Sequence, residues 1–202
     1  MYCIGLTGGI ASGKSTVVTM LRSLGAAIVD CDVIARQVVA PGSKALEQVA
    51  SVFGRESILP DGSMNRAYIG GIVFHEPARK KELEDILFPL IYARIDAEKE
   101  ALTAANPKAV IILDMPLLFE IKYESYVDEV WLVYVDPDTQ LQRLMARNQY
   151  NRADALARIQ AQLPIDTKKS LAQVVIDNRG DLEATQDAVQ RAWQTLMARL
   201  QG

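Results

Sequence analysis

Histidine is almost missing from this 202-residue chain, which holds only His75. Catalysis by a histidine base, or a histidine-built metal site, therefore has almost no candidates. Cysteine is nearly as scarce. Cys3 and Cys31 lie on or just after apolar runs, which argues against a disulfide framework and leaves a zinc site without ligands. No apolar run approaches the ~18 residues of a membrane-spanning helix. Basic excess is absent too: 22 Lys and Arg stand against 25 Asp and Glu, a net charge of −3. Broad nucleic-acid binding, which needs such an excess, is disfavoured, although a local basic site for a small anion remains open. The chain opens on a core-type strand rather than a signal peptide, so the expectation is a cytoplasmic protein with no membrane partner.

Half the residues are hydrophobic and 23% are charged, the balance of a globular protein with a sizeable core. The informative stretch comes first. Cys3-Ile4-Gly5-Leu6 leads into Gly8-Gly9-Ile10-Ala11-Ser12-Gly13-Lys14-Ser15, which satisfies G-x-x-x-x-G-K-[ST] at every fixed position. Each position has a physical reason. The glycines allow positive φ and close approach of backbone N–H groups to an anion. The helix that follows presents unsatisfied N–H groups and the positive end of its dipole. Gly9, Ala11, Ser12, Gly13, Lys14, Ser15 and Thr16 are the expected contacts of a nucleoside triphosphate, ATP by the resemblance described below. Within that set Lys14 reaches the β- and γ-phosphates and Ser15 ligates Mg²⁺.

Apolar runs at residues 26–29, 109–114, 130–135 and 174–176 add four strands, alternating with amphipathic helices. The prediction is an α/β three-layer P-loop NTPase fold with a five-stranded parallel sheet. Between the second and third strands no further strand is convincing. Residues 43–107 instead suit several helices, with Pro89 expected to kink one or to open a second. That length exceeds what a crossover needs and predicts an inserted helical lobe. The expected division is a nucleotide-binding core (1–32, 108–136 and 170–202), a helical substrate-binding lobe (33–107) and a helical lid (137–169).

Acids mark three strand ends, where open parallel sheets bind ligands. Asp32 suits either a base for an attacking hydroxyl or a cap for the helix from Val33. Asp114 suits a carboxylate holding Mg²⁺ through water, or a structural one. Asp177-Asn178-Arg179-Gly180 spells D-x-x-G, but no N-K-x-D follows, so the match is taken as chance. Arg143 and Arg147 lie four apart on one helix face and, with Arg152 and Arg158, suit a lid closing on a γ-phosphate. The competing reading is a solvated face paired with Asp136, Asp138 and Asp154.

Taken together, the motifs resemble the dephospho-CoA kinase family. The resemblance rests on the opening Leu6–Thr16, Asp30-Cys31-Asp32-Val33-Ile34-Ala35-Arg36, Asp114-Met115-Pro116-Leu117-Leu118-Phe119-Glu120, the runs Gln140–Arg147 and Arg158–Gln162, and Val175–Gly180. It implies ATP-dependent phosphorylation of the ribose 3′-hydroxyl of dephospho-CoA, the last step of coenzyme A biosynthesis. It also implies a monomer or weak homo-oligomer. By resemblance the catalytic set is Asp32, Lys14 and Arg143, and Arg147, Asn178 and Gly180 join the ATP contacts. The acceptor side takes Thr7, Asp32 and Leu117, and the metal takes Ser15 with Asp114 through water. One departure stands out: the family commonly has His-Pro where this chain has Phe88-Pro89, and with that histidine's contact missing Arg66 and Arg94 become the candidates for the substrate's phosphates. Two rivals remain, another small-molecule P-loop kinase and a nucleotide-dependent switch or assembly ATPase.

Overall fold

The computed structural model describes residues 1–201. Strand β1 (Tyr2–Gly8) is followed by helix α1 (Lys14–Ser23), then β2 (Ala27–Asp30), α2 (Cys31–Val38), α3 (Lys44–Phe53), α4 (Arg66–Val73) and α5 (Pro77–Ala105). The chain returns through β3 (Val110–Asp114), β4 (Glu129–Tyr134), α6 (Pro137–Asn148), α7 (Arg152–Gln160), α8 (Ile165–Leu171), β5 (Val174–Asp177) and α9 (Leu182–Gln201).

The sheet order is β2-β3-β1-β4-β5. β1 pairs in parallel with both β3 and β4, and β4 with β5. The chain therefore leaves β1 toward one edge and later resumes on its other side. That reversal puts a crevice at the carboxyl end of β1, where open α/β sheets take their ligands. Register places Leu6 beside Asp114, bringing the end of β3 next to the end of β1.

Period-two alternation explains the layers. On β4, Trp131 and Val133 join one core with Ile4, Leu6, Leu21, Val189, Trp193 and Leu196. Leu132 and Tyr134 point the other way, onto Ile165 of α8. Every β4 residue is buried, as a strand covered on both faces requires. Each apolar side chain among them contributes roughly 1.5–3 kcal/mol of burial.

Two compact units emerge: Met1–Val29 with the chain from Leu102 onward, and Asp30–Ala101. The second has its own core, in which Val49 and Phe53 of α3 meet Ile69 of α4, backed by Leu83, Ile86 and Leu87 of α5. Local capping sets its helix starts. Asp30, Ser43 and Asn65 accept from the backbone N–H of Val33, Leu46 and Tyr68, each satisfying a donor the helix leaves open.

The structure refines the helices. Of the two outcomes open for Pro89, a second helix start does not occur: α5 runs unbroken for 29 residues through it. Both Pro89 and Asp85, whose carbonyl loses its partner, are exposed, so water can take the missing bond. Residues 165–171 form α8 around the fully buried Lys168. Leu182 and Leu200 are 64% and 41% exposed because they lie at the two ends of α9.

Candidate active site

The turn between β1 and α1 is closed by Ser12 N–H donating to Gly9 O at 3.0 Å. Ala11 has φ 60° and Gly13 has φ 85°. Positive φ at these two positions curls successive amides toward one concavity. The amides of Ala11, Gly13, Lys14 and Ser15 have no protein partner among the described residues. These free donors, at the positive end of α1, form a nest for phosphate. No acid sits in the first turn of α1 to compete.

Side chains from distant parts of the chain hold the turn from outside. Gln140 of α6 donates Nε2–H to Ile10 O at 2.8 Å, and Gln162 Oε1 accepts from Ile10 N–H at 2.9 Å. The N–H and C=O of one residue are thus gripped from both ends of the α6–α7 segment. Asn178 donates to Ser12 O at 2.7 Å, while its own carbonyl oxygen accepts from the buried Thr185 hydroxyl at 2.7 Å. Gly9 and Gly13 leave room for this bracing. A Cβ on Gly9 would overlap Gln140 Nε2, and one on Gly13 would overlap Asn178 Nδ2. Apolar packing adds to it, since Ile10 and Ala11 pack on Leu141, Leu144, Ala155 and Ile159.

Lys14 Nζ pairs with the Asp114 carboxylate, and the two side chains are 17% and 14% exposed. Arg143 Nη1 lies 4.0 Å from the Cβ position of Gly13, which sets a guanidinium against the turn. Arg147, one helical turn on, is exposed and donates to Asn148 at 2.8 Å. Among the described residues no ion pair joins these arginines to Asp136, Asp138 or Asp154. Asp136 accepts from Thr139, the Asp154 carboxylate accepts from Asn151, and Arg158 stacks on Tyr150 at 4.2 Å. Asp177 instead pairs with Arg179 at 2.6 Å. Hydrogen bonds from that guanidinium hold the Asp177 carboxyl below its ordinary range. Gly180 follows this pair on the loop into α9.

The structure narrows several sequence candidates. Asp30, not Asp32, caps α2. Asp32 stands exposed in the first turn with no ion pair among the described residues, so capping does not account for it. Thr7 is fully buried and donates its hydroxyl to Pro116 O at 3.0 Å, a structural bond rather than an open contact. Leu117 is 43% exposed beyond β3. Arg94 is paired with Glu98 at 2.7 Å, whereas Arg66 has no ion pair among the described residues. Phe88 stacks on Tyr92, ring centroids 5.7 Å apart.

Sequence reasoning missed Gln140 and Gln162, and also an anchor below the site. Lys168 pairs with Glu120 at 2.8 Å and donates to Pro116 O at 3.1 Å. Glu120 also accepts from Leu163 N–H at 3.0 Å. One signal was present for Gln140, which falls in the same buried stripe as Leu141 and Leu144, and a buried amide requires partners.

For a metal, the oxygens at hand are the exposed Ser15 hydroxyl and Asp114. No group of three or more His, Cys, Asp or Glu that could hold a metal exists among the described residues. So sparse a set fits Mg²⁺, which keeps waters and binds through one or two protein oxygens plus substrate phosphates. No helix among the described residues is long and apolar enough to cross a membrane.

Comparison with known proteins agrees with this geometry. A Thermus thermophilus crystal structure covering 100% of this chain and 98% of its own superposes with a TM-score of 0.82 at 32% identity. The dephospho-CoA kinase of Campylobacter jejuni gives 0.71 at 27% identity, with 96% of each chain covered. A dephospho-CoA kinase from Staphylococcus haemolyticus (strain JCSC1435) is 47% identical over 188 residues, 93% of this chain and 92% of that protein. With the dephospho-CoA kinase profile matching residues 2–184, on a fold whose phosphate turn is complete, the chain belongs to the dephospho-CoA kinase family.

Proposed function

We propose that this protein transfers the γ-phosphoryl group of ATP to the ribose 3′-hydroxyl of dephospho-CoA, giving CoA and ADP. The observation that carries the reading is the braced turn. It offers free amides at residues 11 and 13–15, with Lys14 and Arg143 beside them, in a chain of this family.

Phosphoryl transfer asks little covalent chemistry of a protein, so catalysis is positioning and charge stabilisation. In the proposed mechanism the turn amides and Thr16 hold the ATP phosphates. Lys14 faces the β,γ-bridge, and Arg143, with Arg147, supplies positive charge where the γ-phosphoryl develops its own. Mg²⁺, held by Ser15 and through water by Asp114, would neutralise phosphate charge. Asp32 orients the 3′-hydroxyl and takes its proton as the new P–O bond forms and the bond to ADP breaks. The helical unit serves as the acceptor lobe, and residues 137–169 serve as a lid that keeps water from the phosphoryl group.

The deciding experiment measures ADP release from Mg-ATP with dephospho-CoA, AMP or uridine. Stimulation by dephospho-CoA alone, with CoA as product, is the expected result. Turnover only with a nucleotide or nucleoside would overturn the reading.

A further inference from the structure

Lys168 of α8 has no solvent exposure at all. Its ammonium lies 2.8 Å from Glu120 Oε1 and donates to Pro116 O at 3.1 Å. The same Glu120 oxygen accepts from Leu163 N–H at 3.0 Å. The other oxygen, Oε2, is buried and has no hydrogen-bond partner among the described residues. The proposed mechanism uses neither side chain.

Stability gives little reason for this arrangement. A buried ion pair must offset the desolvation of both its ends, and apolar side chains of like volume often serve as well or better. A carboxylate free to relax would share its bonds between both oxygens, since an unpartnered buried oxygen is costly. Here one oxygen takes both donors. Local rules broken in this way are expected at functional positions.

The two ends of the network show what is held. On one side, Pro116 O also accepts from the Thr7 hydroxyl at 3.0 Å, and Met115 N–H donates to Leu6 O at 3.0 Å. The turn that carries Glu120 is thereby fastened to the end of β1. On the other side, the Leu163 N–H belongs to the peptide unit that begins at the Gln162 carbonyl. Gln162 lies in the short link between α7 and α8, and its Oε1 accepts from Ile10 N–H at 2.9 Å. A side-chain brace is only as firm as the backbone it starts from.

From this we infer that Glu120 and Lys168 are positioning residues for ATP. Neither touches substrate. Lys168 aims the carboxylate, and the carboxylate fixes the Gln162–Leu163 peptide. Gln162 then holds Ile10, so that the amides of residues 11 and 13–15 stay turned toward phosphate. The inference rests on the reading of that turn as the ATP site.

The test compares Glu120→Asp with Glu120→Gln by calorimetric titration of a non-hydrolysable ATP analogue with Mg²⁺. Aspartate keeps the charge but is one methylene too short to reach both Lys168 and Leu163. Glutamine keeps the length and an acceptor oxygen but loses the charge. Both should lower the urea midpoint, because each leaves Lys168 less well paired. Only the loss of reach should weaken analogue binding, about five- to tenfold in Glu120→Asp, with Glu120→Gln within about twofold of wild type. Kinetics should show the same rise in the KM for ATP, with a smaller change in kcat. Wild-type affinity in both variants overturns the inference and leaves the pair a structural one. A loss in Glu120→Gln as large as that in Glu120→Asp overturns it too. Should Glu120→Asp fail to fold, amide exchange in the wild-type protein decides. The Leu163 and Ile10 amides should then show matched protection, raised together by the analogue; Ile10 protected while Leu163 exchanges freely overturns the inference. A wild-type protein that does not bind the analogue sinks the ATP reading itself, whereas binding that ignores Glu120→Asp sinks the positioning role alone.

Discussion

At the scale of single residues, the proposed chemistry depends on charges held in place by their neighbours. Lys14 is mostly buried beside Asp114, and its removal takes the cation nearest the proposed β,γ-bridge. Lys14→Ala should lower kcat about 10²–10³-fold, while a urea melt stays near wild type, because the side chain serves a ligand rather than the core. Asp32 makes a different prediction. It is exposed and caps nothing, so Asp32→Asn should leave ATP affinity intact. The loss should fall on turnover, about 10²–10⁴-fold if the carboxylate is the general base. Rates of ADP and CoA formation, set beside ATP titration, check both variants; undiminished turnover in Asp32→Asn would remove it from that role. Lys14 is legible in the sequence because its motif is contiguous. The cap of α2 was not, since Asp30 and Asp32 both suit the position and only backbone geometry separates them.

Among elements, the phosphate turn and the α6–α7 segment behave as one part. Gln140 and Gln162 grip the two sides of Ile10 across separations of 130 and 152 residues. Gln140→Ala or Gln162→Ala removes a bond of about 1 kcal/mol and leaves a buried backbone group unpaired. The expected outcome is a KM for ATP raised about five- to tenfold with a smaller change in kcat. An unchanged ATP dependence would show that the turn holds its shape without them. No periodicity announces such pairs, because a glutamine on a helix looks the same whether it faces water or a distant carbonyl. Pro89 shows the opposite limit. Its ring chemistry allows a kink or a second helix start, and the exposed carbonyl side of α5 lets one helix continue. Pro89→Ala restores one backbone donor and should stabilise the fold by up to about 3 kcal/mol, read as a higher urea midpoint.

For the whole molecule, stability is tied to protons and to ligand. Three aspartates titrate below their ordinary range. Asp177 is lowered by hydrogen bonds from Arg179, Asp136 by the Thr139 amide and hydroxyl, and Asp61 by the Ser63 hydroxyl and amide. Below the free aspartate value of about 3.9, the unfolded chain holds more protons at these sites than the folded one. Their contribution is therefore complete above that value and is lost as pH falls through the lowered folded values. A series of urea melts from pH 6 down to pH 2.5 should show a falling midpoint, steepest below about pH 4. A flat profile would mean the three pairs form equally in the unfolded chain. ATP acts in the other direction, since any ligand selective for the folded state raises its melting point. At a hundred times Kd the gain is about 2.7 kcal/mol, and it should vanish in Lys14→Ala if that residue carries phosphate affinity.

The sequence by itself determined the layered α/β class, the phosphate turn and the starts of most helices. Those features are local: a glycine's freedom at φ 85°, a capping side chain three residues from its amide, an apolar run of five. Tertiary structure alone decided which side chains brace the turn, that Thr7 is closed off, that Arg94 is paired while Arg66 is not, and that Lys168 is buried against Glu120. Each of those depends on where remote segments meet. Hydrophobic burial, which is non-directional, brings the segments together, and only the packed backbone then assigns each polar group its partner.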